Sequence, residues 1–135
     1  MGLILDTNVF IHAERSGSPI DFSIWEEYGD VYISVITVSE LLVGVHYANS
    51  DARETRRSAF VESILAKLPV LGFYVEEARV HARLFATLSK KGQLIGAHDL
   101  LIAATAIVHN CALLTANLKE FERVPGLETI SFDQM

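Results

Sequence analysis

The sequence predicts an α/β fold, a parallel β-sheet of four to five strands flanked by α-helices, and three observations predict it. Short apolar runs recur along the chain, separated by longer stretches with helical periodicity. The runs are continuously apolar, without the in–out alternation of a half-exposed strand, as expected for strands covered on both faces. Strands that alternate with helices join by right-handed crossovers into a parallel sheet. The 135 residues suit one domain spanning 1–135, and no repeat, low-complexity tract or linker interrupts them.

The elements follow in order. Gly2-Leu-Ile-Leu5 is the first strand and ends at Asp6. Asn8 to Glu14 continues as a helix, broken by Ser16-Gly-Ser-Pro19. Ile20 to Tyr28 reads as a short helix stopped by Gly29-Asp30, and Val31-Tyr-Ile33 as the second strand. A helix beginning at Thr37 runs through Glu40 to about Ala48. Asp51 to Lys67 repeats the helical pattern, with Phe60, Ile64 and Leu68 on one face. Pro69-Val-Leu71 is a short third strand. Val75 to Lys91 is an amphipathic helix with Val80, Leu84 and Leu88 in register, closed by Gly92. An apolar helix from His98 to His109 leads to a fourth strand, Ala112-Leu-Leu114. Residues 118–122 make a helical turn, and Leu127 to Ile130 is an edge strand.

Composition narrows the function classes. Half of the residues are hydrophobic and 21% are charged, enough apolar material to offset the entropy of ordering the chain. The longest apolar stretch, Leu100 to Leu114, is interrupted by His109 and Asn110 and is shorter than the ~20 residues of a membrane span. The N-terminus lacks the basic start of a signal peptide, and the single cysteine, Cys111, cannot form an internal disulfide. These features predict a soluble cytoplasmic protein. The net charge of −6 argues against nucleic acid binding, because affinity for phosphates comes from Lys and Arg. Its distribution softens that argument: residues 51–91 hold eight bases against five acids, with Arg53, Arg56, Arg57, Lys90 and Lys91 prominent. As ordinary solvated helix faces the same residues would carry no function.

In parallel sheets, ligands bind beyond the carboxyl ends of the strands. Asp6 ends the first strand, Glu40 lies in the first turn after the second, Asp99 opens the helix before the fourth, and Thr115 and Asn117 follow the fourth directly. Each has a purely structural reading. Asp6 would cap the helix at Asn8, Thr37-Val-Ser-Glu40 matches a capping box, Asp99 suits the positive end of a helix dipole, and Asn117 with Glu120 resembles another cap. Capping, however, gives no reason for the caps to meet in space. Three converging carboxylates repel one another unless a cation compensates them, and a hard, oxygen-preferring ion such as Mg²⁺ or Mn²⁺ fits that demand.

Four motifs now carry a resemblance: Leu5-Asp-Thr-Asn8, Ser39-Glu-Leu41, Gly96-Ala-His-Asp-Leu-Leu-Ile-Ala-Ala104, and Thr115-Ala-Asn117 running to Phe121. In order and spacing, with Arg123-Val-Pro-Gly126 after them, they resemble PIN domains, and among these the VapC toxins of toxin–antitoxin pairs. The resemblance covers essentially the whole chain. It implies that Asp6, Glu40 and Asp99 are the catalytic, metal-binding acids, and that Thr7, Thr115 and Asn117 orient them. The family often carries a fourth acid where this chain has Asn117, which leaves the number of ions open. The resemblance further implies a Mg²⁺- or Mn²⁺-dependent ribonuclease acting on RNA, a cognate VapB-like antitoxin, and a homodimer.

Other residues carry weaker signals. The five histidines lack zinc-ligand spacing, and only His98, beside Asp99, invites attention. Tyr47 and Trp25 could stack on bases, but core packing is the expected role. Ser39 has no partnering histidine, which argues against nucleophilic catalysis. A phosphoaspartate enzyme would need an acid where Asn8 stands, and a receiver would need paired acids where only Asp6 is present. The remaining alternative is a PIN fold without activity that acts as a binding module.

Overall fold

The computed structural model describes residues 1–132, and among them β-strands and helices alternate as expected. The strands are β1 (Gly2–Leu5), β2 (Asp30–Ser34), β3 (Val70–Leu71), β4 (Cys111–Thr115) and β5 (Thr129–Ser131). The α-helices are α1 (Thr7–Ser16), α2 (Val35–His46), α3 (Asp51–Lys67), α4 (Val75–Lys90), α5 (Ala97–Val108) and α6 (Leu118–Phe121), and a 3₁₀ helix spans Phe22–Tyr28. The strands form one parallel sheet in the order β3-β2-β1-β4-β5. The chain thus builds outward from β1 in one direction, returns, and builds outward in the other. The reversal falls between β1 and β4, where Leu5 is in register with Leu114. A crevice opens beyond the carboxyl ends of two strands at such a switch point.

Successive β1 side chains face opposite sides of the sheet. Ile4 joins Leu84, Leu88, Leu100, Ile102 and Phe121 in a cluster under α4, α5 and α6. Leu3 and Leu5 join Val9, Phe10, Ile33, Leu41, Val61 and Ile64 in a second cluster under α1, α2 and α3. The sheet is therefore covered on both faces, which is why its strands lack alternation. Trp25 packs into the second cluster, as expected, whereas Tyr47, 82% exposed, does not take the core role the sequence suggested.

Several boundaries differ from the sequence reading. Helix α2 starts at Val35, not Thr37, because Ser34, the last residue of β2, is itself the cap: its Oγ accepts Ile36 N–H at 3.1 Å. Thr37 is then inside the first turn and fully buried, so the capping box with Glu40 does not form. Helix α1 begins at Thr7 and runs to Ser16, ended by Gly17 at φ 73°. The last strand is Thr129–Ser131, displaced from 127–130, because Leu127 still belongs to the turn around Gly126, its N–H reaching Val124 O at 3.4 Å.

Candidate active site

Asp6 follows β1 directly and is 3% exposed. Its extended backbone caps α1, with Oδ1 accepting Thr7 N–H at 2.8 Å. Its other oxygen, Oδ2, accepts the hydroxyl of Thr115 at 2.7 Å from the end of β4. The cap reading of Asp6 is thus correct as far as one oxygen goes, while the second oxygen crosses the switch point. Burial raises the Asp6 pKa, and the charge of Glu40 adds to this, against the hydrogen bonds from Thr115, Thr7 and Asn8.

Glu40 stands on α2, less than two turns from its start. Its Oε1 accepts the Thr7 hydroxyl at 2.6 Å, and the same hydroxyl lies 3.0 Å from that of buried Thr37. Its Oε2 lies 3.4 Å from His98 Nδ1, on a ring that is otherwise exposed. Asp99 occupies the first turn of α5, whose cap, Gly96, supplies no side chain. Asp99 is pushed up to about 6, first by burial, then by the charges of Asp6, Glu120 and Glu40, with His98 pulling the other way. Three carboxylates from separate elements therefore act on a fourth. Among the described residues, no Lys or Arg forms an ion pair with Asp6, Glu40 or Asp99.

Glu120, on α6, is the residue sequence reasoning treated only as a helix cap. Its Oε2 accepts Asn117 Nδ2 at 2.6 Å and its Oε1 accepts Gly96 N–H at 2.9 Å, and these donors lower its pKa. It therefore brings a stable negative charge beside Asp99. The spacing signals only the local pair, one helical turn separating Asn117 from Glu120, and not the approach to Gly96 and Asp99. The Asn117 side chain contacts Glu120, while its backbone N–H is accepted by Thr115 Oγ1 at 2.9 Å.

An oxygen-only donor set with uncompensated like charge suits a hard divalent cation. Among the described residues, however, no three Asp, Glu, His or Cys side chains close on a common centre. The case for an ion rests on the electrostatics: burial and three neighbouring acids oppose a charge on Asp99 that a cation would relieve.

A parallel α/β sheet with acids at its switch point defines the class of the domain, and sequence comparison narrows it. The PIN domain model matches residues 3–127, and the chain belongs to the PIN-domain family. It is 42% identical over 131 residues to Ribonuclease VapC1 of Rickettsia felis, covering 97% of this chain and 96% of that protein. To the tRNA(fMet)-specific endonuclease VapC of Salmonella typhimurium it is 36% identical over 95 residues, 70% of each chain. The fold is similar to that in the crystal structure of VapBC2 from Rickettsia felis bound to a DNA fragment from their promoter, with a TM-score of 0.88 at 29% identity over 98% of this chain and all of that one. DNA-bound VapBC from Salmonella typhimurium matches with a TM-score of 0.85 at 29% identity, over 97% of this chain and 98% of that one. The resemblance carried by the four motifs is thereby confirmed at the level of the family.

Proposed function

We propose that this chain is the toxin of a VapBC-type toxin–antitoxin pair, an endoribonuclease that hydrolyses RNA phosphodiester bonds and so inhibits translation and growth. The observation that carries it is the near full-length similarity to a VapC ribonuclease, 42% identical over 131 residues, with Asp6 and Glu40 bridged through Thr7 and no Lys or Arg paired to the three predicted acids among the described residues. Asp6, Glu40 and Asp99 would hold Mg²⁺ or Mn²⁺, which when bound makes a water more acidic and screens the phosphate's charge. The chain's own groups prepare that site. Thr115 and Thr7 N–H fix the two oxygens of Asp6. The Thr7 hydroxyl fixes Glu40, and Asn117 holds Glu120 beside Asp99. The partners that fit the reading are a VapB-like antitoxin covering the site and a second copy of the chain as a homodimer. A cytoplasmic location fits too; among the described residues no helix is long and apolar enough to cross a membrane.

The test is cleavage of RNA by the purified chain with Mg²⁺, with Mn²⁺ and with EDTA, alongside Asp6→Asn and Asp99→Asn. Cleavage that needs the ion and is lost in both folded variants supports the reading. A folded parent that binds a VapB-like protein yet cleaves nothing at any metal concentration marks an inactive binding module instead.

A further inference from the structure

The acids at the switch point repel the RNA they would cut, so attraction must come from elsewhere on a chain of net charge −6. Two adjoining clefts are lined by cations. The larger, about 750 Å³, lies between the end of α1 with its following loop and the outer face of α3. The smaller, about 260 Å³, includes Glu40 of the acid cluster, and both clefts include Glu14, Arg57 and Phe60. Together they form a groove leading away from the acids. Arg15, Arg53, Arg56, Arg57 and Lys67 line it, five of the chain's 11 Lys and Arg, against two acids, Glu14 and Glu40.

At 3.6 residues per turn, Arg53, Arg56, Arg57 and Lys67 fall within ~100° of one another around α3 and so share one helix face. From Arg53 to Lys67 they span ~21 Å at 1.5 Å per residue. They differ in how far they are committed within the protein. Arg57 is tied at the neck, its Nε 3.4 Å from Glu14 and its Nη1 donating to Gly44 O at 2.9 Å. Arg53 donates to Asn49 Oδ1 at 3.0 Å. Arg56 and Lys67 are exposed and have no hydrogen bond or ion pair among the described residues. Between the cations the floor is apolar and aromatic, with Phe22 and Phe60. Free cations over an aromatic floor are what an unpaired strand needs, phosphates on the first and splayed bases on the second; a duplex would present no base faces to it.

We propose that this groove is the substrate track: single-stranded RNA running from the acid cluster past the Arg57–Glu14 neck, with its phosphates on Arg53, Arg56 and Lys67. The proposal rests on the ribonuclease reading above, and the test separates the two. In an Asp99→Asn background, which keeps the probe intact, a short fluorescein-labelled oligoribonucleotide of mixed sequence is titrated at several salt concentrations. Arg56→Glu and Lys67→Glu are each expected to weaken binding about tenfold at low salt and to lower the salt slope by ~0.7 per lost phosphate contact. Lys90→Glu, outside the groove, is expected to change neither. Arg56→Gln and Lys67→Gln, with unchanged Tm, provide milder versions should charge reversal disturb folding. Parental affinity and slope in the groove variants, while the unmodified chain cleaves RNA with metal, overturn the track and leave the ribonuclease reading intact. Loss of antitoxin binding in those variants with RNA binding unchanged also overturns it, making the groove a protein dock. An unmodified chain that cleaves no RNA fails the ribonuclease reading, and the track with it.

Discussion

The Thr115 hydroxyl donates to Asp6 Oδ2 at 2.7 Å, joining two residues 109 positions apart in the chain. The same oxygen accepts Asn117 N–H at 2.9 Å, so one buried hydroxyl serves both the first strand's acid and the start of α6. Thr115→Val removes a donor from one buried group and an acceptor from another. It is expected to destabilise the protein by ~1–3 kcal/mol, seen as a lower urea midpoint at unchanged m. Its Asp6 pKa is expected to rise further, so that RNA cleavage falls most at the acid end of the pH range. An unchanged midpoint would show the hydroxyl to be idle.

Asp99 links stability to pH in the direction opposite to that of a salt-bridged carboxylate. In the folded chain its carboxyl is raised to about 6, whereas an unfolded Asp ionises near ~3.9. Between these values the folded state holds the proton and the unfolded state has lost it. Stability therefore falls as pH rises through this window and levels off above it. Asp99→Asn escapes that loss. Without divalent ion it is expected to exceed the parent at pH 7 by ~1 kcal/mol after solvent screening, or a few degrees in Tm. Near pH 4 the two should converge. Parallel stability curves across pH 4–7 would show that Asp6, Glu120 and Glu40 exert no pressure on Asp99.

Adding Mg²⁺ should reverse the ranking at neutral pH. A ligand that binds only the folded state raises stability with its concentration over Kd, and the parent retains the carboxylate that Asp99→Asn lacks. Thermal melts across a Mg²⁺ series are expected to move the parent's Tm upward while leaving the variant's nearly fixed. An equal response in both would place the ion elsewhere.

Thr7 is expected to act through Glu40, whose Oε1 it binds at 2.6 Å. Thr7→Val should lower RNA cleavage ~10–100-fold, the range for lost groups behind a metal ligand, and Thr7→Ser should restore most of it by keeping the hydroxyl. If the Val variant cleaves as the parent does, Glu40 needs no such support.

The sheet was legible because buried strands leave a signal that survives without tertiary context: Gly2–Leu5 and Cys111–Thr115 stand out as apolar runs. Asp6 at the end of β1 and Asp99 in the first turn of α5 are placed as expected, whereas Glu40 lies in the second turn of α2 and not in the first turn after β2. The start of α2 was misplaced because two hydroxyl residues, Ser34 and Thr37, both look like caps; only the strand's length decides between them. Ser34→Ala is accordingly expected to cost ~1 kcal/mol as a lost cap, by chemical denaturation. Glu120 escaped notice because its role depends on Gly96, 24 residues away, whose N–H it accepts. No local pattern encodes that meeting.

The order β3-β2-β1-β4-β5 places the first-made strand at the centre of the sheet, with one flank waiting for Cys111–Thr115. At ~5–20 residues per second, synthesis of the intervening chain takes roughly 5–20 s, and until then Asp6 has no Thr115. A nascent chain therefore holds the buried Asp6 carboxylate without its cross-strand donor until β4 has been made.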